Sequence, residues 1–138
     1  MVLTYRFKKE KLDDGSYVSR PRILVDLQGI EVTALIDSGC DVTVIPENLA
    51  KEIGLNLNGK RDKLYAFREA TEVICTNANI KFLGRAERQN VLINIPVLIT
   101  PADDVDTEGI VLGIRGVFDN FEINFKKARN QIIMKEIK

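Results

Sequence analysis

Short runs in which apolar and polar residues alternate cover most of the chain, and turn residues separate them. A period of two places alternate side chains on one face, so these runs predict half-buried β-strands. The predicted strands cover residues 2–9, 17–27, 32–37, 42–46, 63–67, 72–76, 78–84, 90–100, 109–113, 122–127 and 130–137. Residues 46–54 instead have the spacing of a helix, with Pro46 in its first turn and Gly54 at its end, and residues 114–121 predict one or two further helical turns. The pattern predicts a mostly-β protein, a single domain over residues 1–138 with one or two short helices.

The two ends of the chain have their own features. Residues 1–20 are predicted to form an N-terminal hairpin extension, in which Asp14-Gly15 is a pair that two-residue hairpin turns prefer. Pro21 indicates an edge position or a bend in the strand that follows. Such an extension can add strands to a sheet or cover one of its edges. At the other end, residues 130–138 suit either an internal strand or a strand that holds two subunits together.

Composition removes several classes of function. The chain has 20 basic and 20 acidic residues, so its net charge gives no reason to expect nucleic acid or a membrane as a partner. It has no histidine, which excludes Ser-His-Asp and Cys-His catalysis and argues against the usual zinc enzymes. Cys40 and Cys75 do not make a disulfide framework, and the acidic stretch 103–108 lacks the spacing of a calcium loop and is expected to be solvated. With no secretory pattern and no apolar run of bilayer length, the expected location is cytoplasmic.

One acidic residue interrupts the apolar pattern. In ALIDSGCDVTVIP, Asp37 ends a strand that is otherwise suited to the core. A buried carboxylate is costly unless it is paired or hydrogen-bonded. Gly39 allows a sharp turn directly after the acid, and Ser38 offers a hydroxyl that can brace the loop. The pattern is typical either of a turn capped by Asp37 or of a catalytic carboxylate held at the tip of a rigid strand.

Two segments together resemble the retropepsins, the retroviral-type aspartic proteases, and especially their cellular homologues in archaea and bacteria. The first is LIDSGCDVTVIPENLAKEIGL, where Asp37, Ser38 and Gly39 match the active-site pattern of the family. The next two positions carry Cys40, where Ala is usual, and Asp41, an acid that retroviral members also have. The second segment is GIVLGIRGVFDNFEINF, in which the matching residues are Leu112, Gly113, Gly116, Phe118 and Asp119.

This resemblance implies a small closed β-barrel of the acid-protease type, with an active site shared by two copies of the chain. Asp37 would be the catalytic residue of each subunit, and Ser38, Gly39, Cys40 and Asp41 would form the loop around it. The sequence has one Asp-Ser-Gly, so a pair of such acids requires a homodimer, whose twofold axis brings the same residue to the site twice. Two adjacent carboxylates share one proton, so one acts as a base and the other as an acid, and the aspartic proteases are the standard example of this arrangement. The implied activity is hydrolysis of a peptide or protein substrate by an activated water, with no metal or cofactor.

Two departures from the family pattern leave a second hypothesis open. Retroviral members have, directly after the glycine of the second motif, an Arg that braces the acid at the position of Asp41, whereas here Ile114 intervenes and Arg115 comes one place later. The region expected to form the flap over the substrate, residues 65–74, contains no glycine, and its predicted tip consists of Phe67, Arg68, Glu69 and Ala70. The alternative is therefore a retropepsin-fold module for dimerisation or peptide binding, with little or no hydrolysis.

Overall fold

The computed structural model describes residues 1–66, 69–101 and 110–137. In chain order its strands are β1 Val2–Tyr5, β2 Lys8–Lys11, β3 Tyr17–Arg20, β4 Arg22–Leu27, β5 Ile30–Ile36, β6 Thr43–Pro46, β7 Lys60–Ala66, β8 Glu69–Phe82, β9 Val91–Thr100, β10 Ile110–Leu112, β11 Phe121–Lys126 and β12 Gln131–Glu136. Helix α1 covers Glu47–Glu52, and short helical turns lie at Glu87–Gln89 and Lys127–Arg129. A further turn at Ile114–Phe118 is interrupted by non-helical backbone at Arg115 and Gly116. The predicted flap residues Phe67 and Arg68 and the acidic stretch 103–108 lie outside the described residues.

Six of the strands form a closed β-barrel. Their order is β4-β5-β10-β6-β9-β8, and β8 returns to pair with β4 from Val25–Phe82 to Leu27–Ile80. Alternate residues of each strand point into the barrel, so that Ile23, Val25 and Leu27 of β4 are all buried. Closure leaves the barrel without a free edge along these six strands. The structure thus confirms the predicted mostly-β fold and small closed barrel of the acid-protease type.

The three-residue strand β10 lies between two strands that are consecutive in the chain. It runs parallel to β5, with Ile110 opposite Ala34 and Leu112 opposite Ile36, and antiparallel to β6. The connection from β5 to β6, residues 37–42, therefore has to pass around the end of β10. This arrangement brings the two segments that the sequence singled out into direct contact.

Helix α1 begins and ends close to the predicted positions. Pro46 precedes it with a φ of −66°, the value that the proline ring imposes, and Gly54 follows it. Ala50 and Ile53 are buried and attach the helix to the barrel core. No helix among the described residues is long and apolar enough to cross a membrane.

Several predicted strands have different boundaries. The strand predicted over residues 2–9 is divided, because the N–H of Phe7 donates to the side chain of Asn130 (3.0 Å) and the chain turns between β1 and β2. The strand predicted over residues 17–27 is interrupted at Pro21, which has no N–H to give to a ladder, as expected. The strands predicted at 72–76 and 78–84 form one continuous strand, β8, because the first half continues the barrel wall outward to pair with β7.

The two ends of the chain meet in a second sheet. Its order is β1-β12-β11, so β1 adds a strand to the final hairpin, which was predicted correctly. Of the two alternatives for the C-terminal segment, the described subunit shows the internal strand: β12 is paired on both sides, and Ile132 and Met134 are buried against the core.

Strands β2 and β3 pair only with each other among the described strands, and we call residues 8–20 the N-terminal hairpin. The carbonyl of Leu12 accepts the N–H of Gly15 (3.0 Å), so Asp13 and Asp14 form the centre of the turn and Gly15 follows it. The turn predicted at these residues is confirmed, and it differs from the two-residue type that Asp14-Gly15 favours in that Asp13 takes the first central position.

Candidate active site

Asp37 lies at the point where β5 leaves the barrel wall. The preceding residue, Ile36, is buried, whereas Asp37 is half-buried. The backbone N–H of Asp37 donates to the carbonyl of Leu112 in β10 (3.0 Å), which continues the β5–β10 ladder by one further bond. The main chain of the acid is thus held by the barrel itself, as expected for a carboxylate on a rigid strand.

The loop after Asp37 folds back on the carboxylate. Oδ1 of Asp37 accepts the backbone N–H of Gly39 (2.9 Å), and the carbonyl of Asp37 accepts the N–H of Cys40 (3.2 Å). Ser38 and Gly39 are exposed, and the Ser38 hydroxyl makes no hydrogen bond within the described part of the subunit. The carboxylate therefore has one oxygen fixed by a backbone donor in a loop that faces outward.

Gly39 contributes to the loop in a different way from the one that the sequence suggested. Its φ is not in the left-handed region, so a special backbone angle is not what demands a glycine. A Cβ at this position would lie 3.2 Å from Oδ1 of Asp37, which is tighter than ordinary van der Waals contact. The missing side chain leaves room for the carboxylate beside the N–H that binds it.

The second motif packs directly against this loop. The buried Gly113 comes so close to it that an added Cβ would lie 2.5 Å and 2.7 Å from the backbone C and N of Val42 and 2.8 Å from the carbonyl oxygen of Cys40. The following two N–H groups donate to the loop, Ile114 to the carbonyl of Cys40 (2.8 Å) and Arg115 to that of Asp41 (2.9 Å). Only glycine permits this approach, and we call the packed segments, residues 37–43 and 112–115, the junction.

Thr43 is a junction residue that sequence reasoning missed. Its hydroxyl oxygen accepts the N–H of Gly113 (3.1 Å), and its side chain is fully buried at the start of β6. A β-branched residue in a predicted strand is expected for its strand preference alone. Only its position near both motifs, which the fold creates, distinguishes it from other threonines.

Arg115 and Asp41 touch through their backbones but not through their side chains. Both are exposed, and no ion pair joins them within the described residues. Arg115 has φ −62° and ψ 126°, an extended conformation, so the helical turn predicted from residue 114 onward does not include it. The structure therefore does not show a buried brace between these two residues within one subunit.

Cys40 borders the carboxylate as a protonated thiol. Its Sγ donates to the carbonyl of Val42 (3.0 Å). Burial raises the pKa of the Cys40 thiol, a separate interaction with the backbone of Val42 lowers it, and the negative charges of Asp37 and Asp41 raise the pKa further. The side chain of Cys40 thus occupies the usual Ala position without adding a reactive thiolate, and both it and Cys75 are free.

The described residues of the region expected to form the flap belong to the hairpin made by β7 and β8. The two strands pair out to Ala66 opposite Glu69, with Tyr65 opposite Ala70. Glu69 and Ala70 of the predicted tip are thus the first residues of β8, while Phe67 and Arg68 lie beyond the described residues. Tyr65 is 73% exposed, which places a large aromatic side chain on the open outer part of the hairpin.

Comparisons with known proteins identify the family of the chain. The aspartyl protease family, as represented by its family model, matches residues 23–115, which include Asp37, the β7–β8 hairpin and Gly113. The match extends over more than half of the chain, and the chain therefore belongs to this family.

Among solved structures, the fold is similar to the crystal structure of a retropepsin-like aspartic protease from Rickettsia conorii. The TM-score is 0.65 at 14% sequence identity, over 97% of this chain and 91% of that one. A search of curated protein sequences found no match. The recognition of a retropepsin-like protease from the two motifs is confirmed, and at this low identity the structural similarity speaks for the fold alone.

Proposed function

We propose that this protein is an aspartic endopeptidase that acts as a homodimer, with one Asp37 from each subunit forming the catalytic pair. The observation that carries the proposal is the Asp37 carboxylate, which is bound by the N–H of Gly39 (2.9 Å) in a loop fastened to β10. An Asp that only caps a turn needs the bond from the N–H of Gly39 and no attachment to β10. The additional packing of Gly113 against the loop is what a fixed catalytic carboxylate requires.

The need for two subunits follows from the chemistry. One carboxylate in a given protonation state cannot act as base and acid in the same step, whereas two that share a proton can. The sequence supplies one Asp-Ser-Gly, and a twofold axis beside the exposed Ser38 and Gly39 would bring its copy face to face with it. The identical loops of the two subunits would then brace each other.

In this mechanism the ionised carboxylate removes a proton from a water molecule, and the water oxygen attacks the carbonyl carbon of the peptide bond. The protonated carboxyl group gives its proton to the carbonyl oxygen, which forms a tetrahedral diol. Collapse of the diol, with proton transfer to the amine, breaks the C–N bond and releases both peptides. The β7–β8 hairpin is proposed to cover the substrate and exclude bulk water during these steps.

The test is cleavage of unfolded casein over a pH range of about 3 to 7. We expect cleavage by the wild type to be favoured by acid, and Asp37→Asn to lose it while it remains a dimer by light scattering. Asp13→Asn is the matched control, because it makes the same chemical change at an exposed acid in the turn of the N-terminal hairpin. Cleavage that survives in Asp37→Asn would refute the assignment.

A second candidate is a dimerisation or peptide-binding module that hydrolyses little or nothing. The observation that favours it is that Asp41 and Arg115, both exposed, form no ion pair within the described subunit, so one brace of the site is missing. A stable wild-type dimer that cleaves no substrate at any pH would select this second candidate. A wild type that stays monomeric at all tested concentrations would contradict the homodimeric protease and the dimerisation module, and would leave peptide binding as the remaining form of the second candidate.

A further inference from the structure

One side chain takes part in the hydrogen bonds that close the junction. Four such bonds join the loop to the second motif, and three of them connect backbone groups: Asp37 to Leu112, Ile114 to Cys40, and Arg115 to Asp41. The fourth connects the N–H of Gly113 to the hydroxyl of Thr43. Thr43 is one of two buried polar residues among those described, and the other is Thr100.

This fourth bond has no replacement in water. Gly113 and Thr43 are both buried, so solvent cannot supply an acceptor if the hydroxyl is removed. A buried N–H without an acceptor costs the full desolvation of that group, and the structure relieves this cost by moving. The group that would move is the closely packed backbone of Gly113 against Val42.

A movement of Gly113 would shift Asp37, because both neighbours of Gly113 in the chain are hydrogen-bonded to the loop that carries the acid. The residue before it, Leu112, provides the carbonyl that holds the N–H of Asp37, and the residue after it, Ile114, holds the carbonyl of Cys40. Asp37 lies between these two anchors. A misplacement of about 1 Å can cost about a hundredfold in rate, and this carboxylate would have to meet its partner across a symmetry axis.

We propose that Thr43 is a positioning residue for Asp37. Its hydroxyl fixes Gly113 against the loop and so sets where the carboxylate lies relative to the second subunit. The catalytic part of this inference rests on the proposed function, whereas the anchoring part concerns the fold of one subunit.

Three variants separate the hydroxyl from the rest of the side chain. Thr43→Val keeps the shape and removes the acceptor, and Thr43→Ser keeps the acceptor and removes the methyl group. Thr100→Val makes the same exchange at the other buried threonine, which lies opposite Pro46 at the far end of the β6–β9 ladder. The amide exchange rate of Gly113 is measured by NMR, and kcat and KM are measured on one casein-derived peptide.

We expect Thr43→Val to remain dimeric, to exchange the Gly113 amide faster, and to lose between about tenfold and a hundredfold in kcat with a smaller change in KM. Thr43→Ser should return both quantities to near the wild type, and Thr100→Val should leave both unchanged. Wild-type exchange and kcat in Thr43→Val would overturn the proposal. Equal defects in Thr43→Ser and Thr43→Val, or in Thr43→Val and Thr100→Val, would also overturn it, because a packing effect would then explain them.

The two proposals fail in different ways. If the wild type cleaves nothing, the protease assignment fails, and the Gly113 exchange rates still decide whether Thr43 anchors the junction. If Thr43→Val does not fold, Thr43→Ala is compared with Thr43→Ser by the same two measurements, and a defect confined to the variant without a hydroxyl supports the proposal.

Discussion

The junction and the N-terminal hairpin begin side by side and are held in opposite ways. The N–H of Ile36, directly before Asp37, donates to the carbonyl of Pro21, directly after β3 (3.0 Å). From this point the junction is closed by three backbone hydrogen bonds, by the buried hydroxyl of Thr43 and by a glycine without room for a Cβ. The N-terminal hairpin instead attaches to the barrel through side chains, with Nε of Arg22 on both carboxylate oxygens of Glu10 (2.8 Å and 3.2 Å).

This difference predicts that the two regions respond differently to substitution. Where the backbone of Gly113 packs against the loop, the two segments fit in one arrangement, because no side-chain rotation can relieve a clash between backbone atoms. A two-stranded hairpin is only marginally stable alone, and a side-chain ion pair can be broken without disturbing the barrel. Substitutions at the junction should therefore affect the whole fold, whereas those in the hairpin should act locally.

The largest expected effect comes from a methyl group at the junction. Gly113→Ala places a Cβ within 2.5 Å of backbone that cannot rotate away, and we expect a loss of about 3 kcal/mol in the free energy of unfolding. Gly15→Ala in the hairpin meets nothing within 4 Å, and its φ of 87° costs about 1 kcal/mol in local strain. Urea unfolding of both variants gives the comparison, and equal losses would contradict it.

The second effect concerns the attachment of the hairpin. The side chains of Arg22 and Glu10 are 10% and 14% exposed, so Glu10→Gln removes a charge from a largely desolvated pair. We expect the free energy of opening the hairpin to fall by about 2 kcal/mol. The amides of β2 and β3 should then exchange more than tenfold faster, while the amide exchange of the junction stays unchanged.

Its matched control is the exposed pair between Arg61 and Glu72 on the β7–β8 hairpin, whose side chains are 70% and 58% exposed. Glu72→Gln should lower the stability of the β7–β8 hairpin by less than about 1 kcal/mol, and high salt should remove this difference. An equal effect from both variants would mean that burial of the Glu10 pair contributes nothing.

The smallest expected effect concerns the reactivity of the Cys40 thiol, which depends on its burial and on the neighbouring carboxylates. Because burial and then the charges of Asp37 and Asp41 raise the pKa of Cys40, its thiol stays protonated at pH values where an unfolded Cys begins to ionise. Stability linked to this thiol is fully present below the ordinary Cys pKa and falls as pH rises toward the folded value. In a Cys75→Ser background, iodoacetamide should modify Cys40 more slowly than it does in the urea-unfolded chain.

Asp37→Asn removes one of these charges and should speed the modification of Cys40 by no more than about threefold. Mass spectrometry after timed quenching gives both rates. A folded rate equal to the unfolded one would contradict the protected thiol.

Much of the architecture was predictable from the alternation of residues. The period of two located most strands, Pro21 marked a real interruption, and the run from Pro46 to Gly54 identified the helix. Strand ends were less predictable because they depend on distant partners. Nothing near Phe7 in the chain indicates that the chain will turn there by bonding to Asn130, and nothing within residues 72–84 reveals that two apolar runs form one continuous strand.

The site divides in the same way. The sequence by itself determined that Asp37 ends a strand, that Ser38 and Gly39 follow it, and that Gly113 closes a second motif, because these are local properties of residue type and order. The tertiary structure alone decided that β10 inserts beside β5 and brings the two motifs together. It also decided that Gly39 serves by leaving space, that Arg115 is extended and apart from the Asp41 carboxylate, and that the buried Thr43 holds Gly113. These facts depend on distances between residues far apart in the chain, and such distances exist only after the barrel has closed.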